Sequence, residues 1–199
     1  MSILDTEYTQ ILKESGALKE GHFVLSSGLH SQYYVQCALI MSNPYFAKKI
    51  CTNLVNKIKK TIDITQINKI ISPAMGGILV GYEIARQLEI PNIFLERIDK
   101  KFTLRRGFNI EKEDKILVIE DVLTTGKSSL ETYDLINKYE ANILAEACII
   151  RRNPDIKQLN NVPIIPLIDL DFPTYTDDNI PSFLKDTPIE KPGSRFIKK

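Results

Sequence analysis

The chain has 199 residues, enough for one domain or for one domain with a small appendage, and a chain of that size buries roughly 70% of the surface its unfolded form exposes. Hydrophobic residues make up 43% and charged residues 26%, and Lys plus Arg (26) nearly balances Asp plus Glu (25). A net charge of +1 gives no general reason to expect nucleic acid or a membrane surface as partner, so any basic patch is local.

Cys37, Cys51 and Cys148 form no C-x-x-C pair, and His22 and His30 are the only histidines. Neither a zinc site nor a disulfide framework is expected, and three buried or half-buried thiols in a reducing cytosol fit best. The first ten residues carry Asp5 and Glu7 and no apolar run, so no signal peptide is expected. No later segment approaches the roughly 20 apolar residues of a membrane span.

In chain order, Leu4, Tyr8, Ile11 and Leu12 recur at helical spacing, with Gly16 as C-cap. Residues 23 to 37 hold two β-rich runs around Ser26-Ser27-Gly28, a hairpin or bent strand pair. Asn43-Pro44 reads as an N-cap with proline at N1, and Phe46, Ile50, Leu54 and Ile58 continue it as an amphipathic helix. From Lys69 strands and helices alternate. Lys69 to Ser72 is a strand, Pro73 to Gly77 a loop, Ile78 to Leu88 a helix and Asn92 to Glu96 a strand. Ile116 to Ile119 is a short apolar strand of the kind buried on both faces of a parallel sheet. A helix from about Ser128 to Tyr139 and strands at Ile143 to Ile150 and Ile164 to Ile168 follow. The alternation implies βαβ units and an α/β fold. Five of the ten prolines lie between Pro166 and Pro192, so the tail reads as an ordered surface meander rather than a second domain.

The chemistry concentrates in Glu120-Asp121-Val122-Leu123-Thr124-Thr125-Gly126-Lys127-Ser128. A buried strand runs into two adjacent carboxylates, then a small-residue loop and a helix start. Ligands of open α/β sheets sit at the carboxyl ends of strands. Successive amides, hydroxyls and a helix N-terminus are the parts of a phosphate cradle. The acids suit sugar hydroxyls, or Mg²⁺ through water. Gly126-Lys127-Ser128 ends like a P-loop, but that motif needs glycine where Asp121 stands. The bland alternative is an ordinary βα turn with acids at its start.

This segment resembles the phosphoribosyl-diphosphate motif of the type I phosphoribosyltransferases. The resemblance implies that family's fold: a mostly parallel central sheet flanked by helices, with a small β-rich hood from about residue 17 to 40 and the tail. It implies one domain over 1–199, with the acids on the ribose hydroxyls and the loop around the 5′-phosphate. Residues 21–34 (GHFVLSSGLHSQYY), 72–86 (SPAMGGILVGYEIAR), 96–108 (ERIDKKFTLRRGF) and 191–195 (KPGSR) resemble, in the same order, bacterial orotate phosphoribosyltransferases. That narrower likeness implies orotate and phosphoribosyl diphosphate as substrates, Mg²⁺ as cofactor, and orotidine 5′-phosphate and pyrophosphate as products. By position Thr124 and Arg152 match the orotate contacts, and a guanidinium suits a carboxylate. A surface arginine after a strand is the plain alternative, and Arg151 stands beside it.

Pro73 to Gly77 matches the family's pyrophosphate loop. It departs from enzymes with a lysine there, having Met75-Gly76, and Ser26 stands where those carry another lysine. Residues 96 to 107 hold Arg97, Lys100, Lys101, Arg105 and Arg106. A charge run is usually a solvated face, but the resemblance makes this a mobile loop that closes over the site. Arg97 and Lys101 match its phosphate-contacting cations, and Thr103 stands near a histidine common among relatives. The family's dimers send this loop into the neighbour's site, which implies a homodimer with shared active sites. Ile180-Pro181-Ser182-Phe183 replaces the Cys-Pro-x-Cys of close relatives. Two rival functions share the pattern: transfer to another base, and a non-catalytic regulator of the same fold. The hood and tail sequences argue against the first. The lack of a basic N-terminal DNA-binding segment argues against the second.

Overall fold

The computed structural model describes residues 7–25 and 27–192. Leu4, Ser26 and the Gly193 to Arg195 end of the tail motif lie outside the described residues. Helix α1 (Glu7–Glu14) buries Ile11 and Leu12 and ends at Gly16, whose φ of 69° is a left-handed value that glycine adopts without strain. Strands β1 (Leu18–Val24) and β2 (His30–Val35) form the expected antiparallel hairpin. The short α2 (Cys37–Met41) leads to α3 (Pro44–Thr61). Asn43 caps α3 as its spacing predicts: its side chain accepts from the Tyr45 N–H at 3.0 Å, and Pro44 opens the helix. Such a cap is worth about 1 kcal/mol.

The α/β alternation then follows: β3 (Lys69–Pro73), α4 (Gly76–Leu88), β4 (Asn92–Ile98), β5 (Lys101–Thr103), β6 (Lys115–Leu123), α5 (Lys127–Asn137), β7 (Asn142–Arg151), β8 (Gln158–Leu159) and β9 (Val162–Asp169). The tail holds β10 (Thr174–Tyr175), α6 (Ser182–Lys185) and β11 (Ile189–Glu190). Boundaries shift in ways that matter. Strand β6 runs on through both acids to Leu123, where the apolar run alone suggests a stop at Ile119. Strand β7 includes Arg151, and β4 extends two residues to pair with β5.

Two compact units result. One comprises residues 41–170 and holds a seven-stranded sheet in the order β5-β4-β3-β6-β7-β9-β8. Its five central strands are parallel, and only the short edges β5 and β8 run antiparallel. The sheet is buried on both faces. Ile71, Ile93, Leu95, Ile116 and Val118 pack with Tyr133 and Ile136 of α5. The helices α3 and α4 pack on each other and bury Ile50, Leu54, Ile58, Val80 and Ile84. Each such side chain contributes about 1.5–3 kcal/mol.

The other unit comprises residues 1–40 and 171–199, with a four-stranded sheet in the order β10-β2-β1-β11. The tail is thus more than a meander, because it adds a strand to each edge of the hairpin. Two buried rings pin it there. His30 Nε2 lies 2.6 Å from Asp177 Oδ1, His30 Nδ1 lies 2.6 Å from His22 Nε2, and His22 Nδ1 meets the Thr187 carbonyl at 3.3 Å.

Candidate active site

Strands β3 and β6 are neighbours at the middle of the larger sheet, and their crossovers diverge, one through α4 to β4 and the other through α5 to β7. That divergence is a topological switch point, where the carboxyl ends of two strands leave an open crevice. The sequence puts a Gly-Gly loop after β3 and the acid-rich motif at the end of β6, so both converge there.

The convergence is tight. A Cβ on Gly76 would lie 2.3 Å from Asp121 Oδ2, and a Cβ on Gly77 would lie 2.8 Å from the Ile119 carbonyl and 3.4 Å from Glu120 Oε1. Glycine at 76 and 77 therefore lets the loop backbone rest against the two acids. The Ala74–Met75 peptide in this loop is cis. The acids differ in environment. Glu120 is buried, and desolvation, reinforced by the Asp121 charge, pushes its carboxyl well above the ordinary carboxylate range. A neutral Glu120 can donate as well as accept. Asp121 is partly exposed, and its Oδ1 accepts from the Val122 N–H at 2.8 Å.

The loop beyond β6 keeps Thr124 and Thr125 exposed. Gly126 follows with φ 74°, at the N-cap of α5, and a Cβ there would lie 2.6 Å from Leu159 Cδ1. Lys127 and Ser128 are the first helical residues, so their amides have no intrahelical partner and face outward with the positive end of the dipole. Val122 is half-buried, and the Leu123 side chain is buried against Cys148 and Ile164, which leaves only its main chain for a ligand.

The loop that carries Thr124 and the residue after β7 are joined through the main chain. The Arg152 N–H donates to the Leu123 carbonyl at 2.8 Å, which ties the residue after β7 to the start of the loop. Arg151 is committed elsewhere. It is buried, grips Asp169 at 2.7 and 3.2 Å, and donates to the Ile156 carbonyl at 2.9 Å.

The basic segment is a hairpin in this structure. The strands β4 and β5 pair through a turn at Asp99 and Lys100, both at positive φ. Lys101 is exposed. Arg97 Nη1 pairs with Glu131 Oε2 of α5 at 2.6 Å and donates to the Lys100 carbonyl, and its guanidinium carbon lies 4.0 Å from the centroid of the Phe102 ring. Glu96 holds Arg106 at 2.6 Å and Arg105 at 3.4 Å. Arg97 is thus turned to α5 of the same chain, a contact that the spacing of charges does not announce. The sequence reading also misses Glu146, an acid inside the apolar β7 whose only mark is its own charge.

A family profile described as a phosphoribosyl transferase domain matches residues 40–166. The orotate phosphoribosyltransferase of Maricaulis maris is 43% identical over 186 residues, covering 93% of this chain and 94% of that protein. That of Caldicellulosiruptor saccharolyticus is 43% identical over 191 residues, covering 96% and 97%. Among solved structures, orotate phosphoribosyltransferase from Aeropyrum pernix superposes with a TM-score of 0.72 at 20% identity, over 81% of this chain and 92% of that one. An adenine phosphoribosyltransferase from Trypanosoma brucei gives 0.60 at 18% identity, over 97% and 90%. The structural likenesses show the fold, which enzymes named for different bases share, and the sequence relatives carry the finer grouping. The chain belongs to the phosphoribosyltransferases, in the orotate phosphoribosyltransferase family.

Proposed function

We propose that this protein transfers ribose 5-phosphate from 5-phospho-α-D-ribose 1-diphosphate to orotate, giving orotidine 5′-phosphate and pyrophosphate on the route to UMP. The observation that carries the reading is the junction of the Pro73–Gly77 loop with Glu120 and Asp121, beside a helix end open to phosphate. In this reading residues 1–199 act as one catalytic domain, with the hairpin and tail as its hood.

The amides and hydroxyls from Thr124 to Ser128 hold the 5′-phosphate. Asp121 accepts from one ribose hydroxyl and Glu120, whose carboxyl burial pushes upward, faces the other. The backbone at Gly76 and Gly77 receives the pyrophosphate where some orotate enzymes place a lysine. Arg152 grips the orotate carboxylate, with Thr124 beside it. The base nitrogen bonds to the anomeric carbon as the bond to pyrophosphate breaks and the pyrophosphate leaves with the electron pair. The intervening state is cationic at the sugar, so the protein's task is positioning and stabilising the departing charge. Lys101 and Arg97 serve the second, and Arg97 must first leave Glu131.

The residues fit a Mg²⁺ that travels with the substrate. Among the described residues no cluster of three or more His, Cys, Asp and Glu forms a protein cage, whereas Mg²⁺ commonly takes one or two carboxylates and completes its shell with phosphates and water. Asp121, the more exposed of the two acids, would help hold it, and the ion would neutralise charge on the leaving pyrophosphate.

Homodimer formation and a cytoplasmic location belong to the same proposal. Met75, Leu79 and Tyr82 form an exposed apolar stripe at the start of α4, which suits a two-fold contact. All three cysteines are buried and form no disulfide with one another, as suits a reducing compartment. Incubation with phosphoribosyl diphosphate, Mg²⁺ and one base at a time tests the substrate assignment. Pyrophosphate release is expected with orotate and not with uracil, adenine or hypoxanthine; release with a purine alone would refute it.

A further inference from the structure

The buried interior of β7 carries an acid to which the phosphoribosyl motif gives no task. Glu146 has 0% exposure in a strand that is otherwise apolar from Ile143 to Ile150. Its register partners are Val118 on β6 and Ile164 on β9, so neither flanking strand offers it a polar side chain at that level. Its partners come from the helix above. Ser129 Oγ donates to Oε1 at 2.7 Å, and the Tyr133 hydroxyl donates to Oε2. Each carboxyl oxygen therefore holds one donor.

The placement of those donors is informative. Ser129 and Tyr133 are four residues apart, one turn, so one buried side chain grips α5 on one face at two levels. Ser129 is the third residue of α5, and the two before it, Lys127 and Ser128, close the phosphate cradle. At its own start the helix has only Gly126, which makes no side-chain capping bond. The polar tether of this helix end thus comes from the strand beneath it. An apolar side chain would fill the same space without the cost of burying an acid, but it would leave two buried hydroxyls without an acceptor. The other titratable groups that feel this charge are Glu120 on β6 and Cys148 on β7.

We propose that Glu146 is a positioning residue for the phosphoribosyl group, setting the height and pitch of the α5 N-terminus against the 5′-phosphate through Ser129 and Tyr133. The proposal rests on the reading that this end of α5 holds that phosphate. The Pro73–Gly77 loop belongs to the other crossover, whereas the Ser129 and Tyr133 donors to Glu146 both come from α5. Loss of the tether therefore separates two ligands that a general loss of structure would weaken together.

The test uses the full chain and calorimetric titration with ribose 5-phosphate and, separately, with inorganic pyrophosphate. Glu146→Leu should weaken ribose 5-phosphate about tenfold or more, since sub-ångström to ångström shifts of a positioned group have effects of that order, while pyrophosphate stays within about twofold. Glu146→Gln keeps an acceptor for Ser129 and should restore much of the loss, and Tyr133→Phe, which keeps the ring and removes one donor, should show a smaller loss with the same selectivity. Should Glu146→Leu fail to fold, the latter two decide. Equal weakening of both ligands, or unchanged ribose 5-phosphate affinity in every variant, would overturn the proposal. Wild-type protein that does not bind ribose 5-phosphate would overturn the phosphoribosyl reading itself, a different result from wild-type binding that Glu146 variants leave untouched.

Discussion

At the scale of single residues, burial separates groups that the sequence presents as equals. Arg151 and Arg152 are adjacent, but β7 continues through the first and stops before the second. Arg152→Ala should raise the Michaelis constant for orotate at least tenfold, about the 1.5–3 kcal/mol of a charge-assisted contact, with a smaller change for phosphoribosyl diphosphate. Arg151→Ala should instead lower the melting temperature, because it strips Asp169 and the Ile156 carbonyl of their donor. A selective orotate defect in the Arg151 variant alone would show that the assignment is off by one. Asp121→Asn should weaken phosphoribosyl diphosphate, since the amide is a poorer acceptor for a ribose hydroxyl, and unchanged affinity by calorimetry would count against that role. Glu146 makes a pH-dependent contribution. Burial pushes its carboxyl up to about 7 from an ordinary 4.5, so between those values the folded chain keeps a proton that the unfolded chain has released. Stability from this group is therefore highest at and below about pH 4.5, falls as pH rises towards 7, and levels beyond; the drop amounts to about 3 kcal/mol. Urea unfolding at pH 5 and pH 8 should show a smaller fall in Glu146→Gln than in the wild type, the remainder coming from groups such as Glu120.

At the scale of elements, what was legible in the sequence was what packing repeats. The apolar runs at Ile70-Ile71 and Ile116 to Ile119, the Asn43-Pro44 cap and the Thr-Thr-Gly-Lys-Ser turn each follow from a local rule, and together they predicted the parallel sheet and the loop-to-helix turn after β6. Less visible were elements held by distant partners. The strands β10 and β11 are two residues each and exist because β2 and β1 offer them free edges. The hairpin β4–β5 looked like a charge run, since its pairing lies under Arg97 and Phe102 rather than in an apolar pattern. Glu146 sits in a strand buried on both faces among apolar neighbours, and α5 above it explains the acid. The glycine loop gives a sharp contrast. Gly76→Ala meets the Asp121 side chain at 2.3 Å, which can turn aside by giving up the Val122 N–H, so it should displace that carboxylate and weaken phosphoribosyl diphosphate more than it lowers the melting temperature. Gly77→Ala meets the Ile119 carbonyl at 2.8 Å, backbone that cannot step aside, so it should destabilise the fold by about 1–3 kcal/mol. Thermal melts and binding titrations on both variants distinguish the two outcomes.

At the scale of the whole molecule, the basic hairpin is the piece whose place in catalysis depends on assembly. Here Arg97 is latched to Glu131, while its proposed work is on the pyrophosphate. If the hairpin serves a partner's site across a two-fold axis, Lys101→Ala and Asp121→Asn disable different subunits of the same site. Mixing the two inactive variants and letting subunits exchange should then restore roughly a quarter of wild-type activity, since half the dimers are mixed and each has one intact site of two. Exchange seen by mass spectrometry with no activity would confine the hairpin to its own subunit. The central claim, orotate phosphoribosyl transfer, is tested most directly by following orotate absorbance and pyrophosphate together, with phosphoribosyl diphosphate and Mg²⁺ present. Orotate should disappear and pyrophosphate appear in equal amounts, with a product of the mass of orotidine 5′-phosphate; pyrophosphate formation without loss of orotate, or no reaction by folded protein, would contradict it.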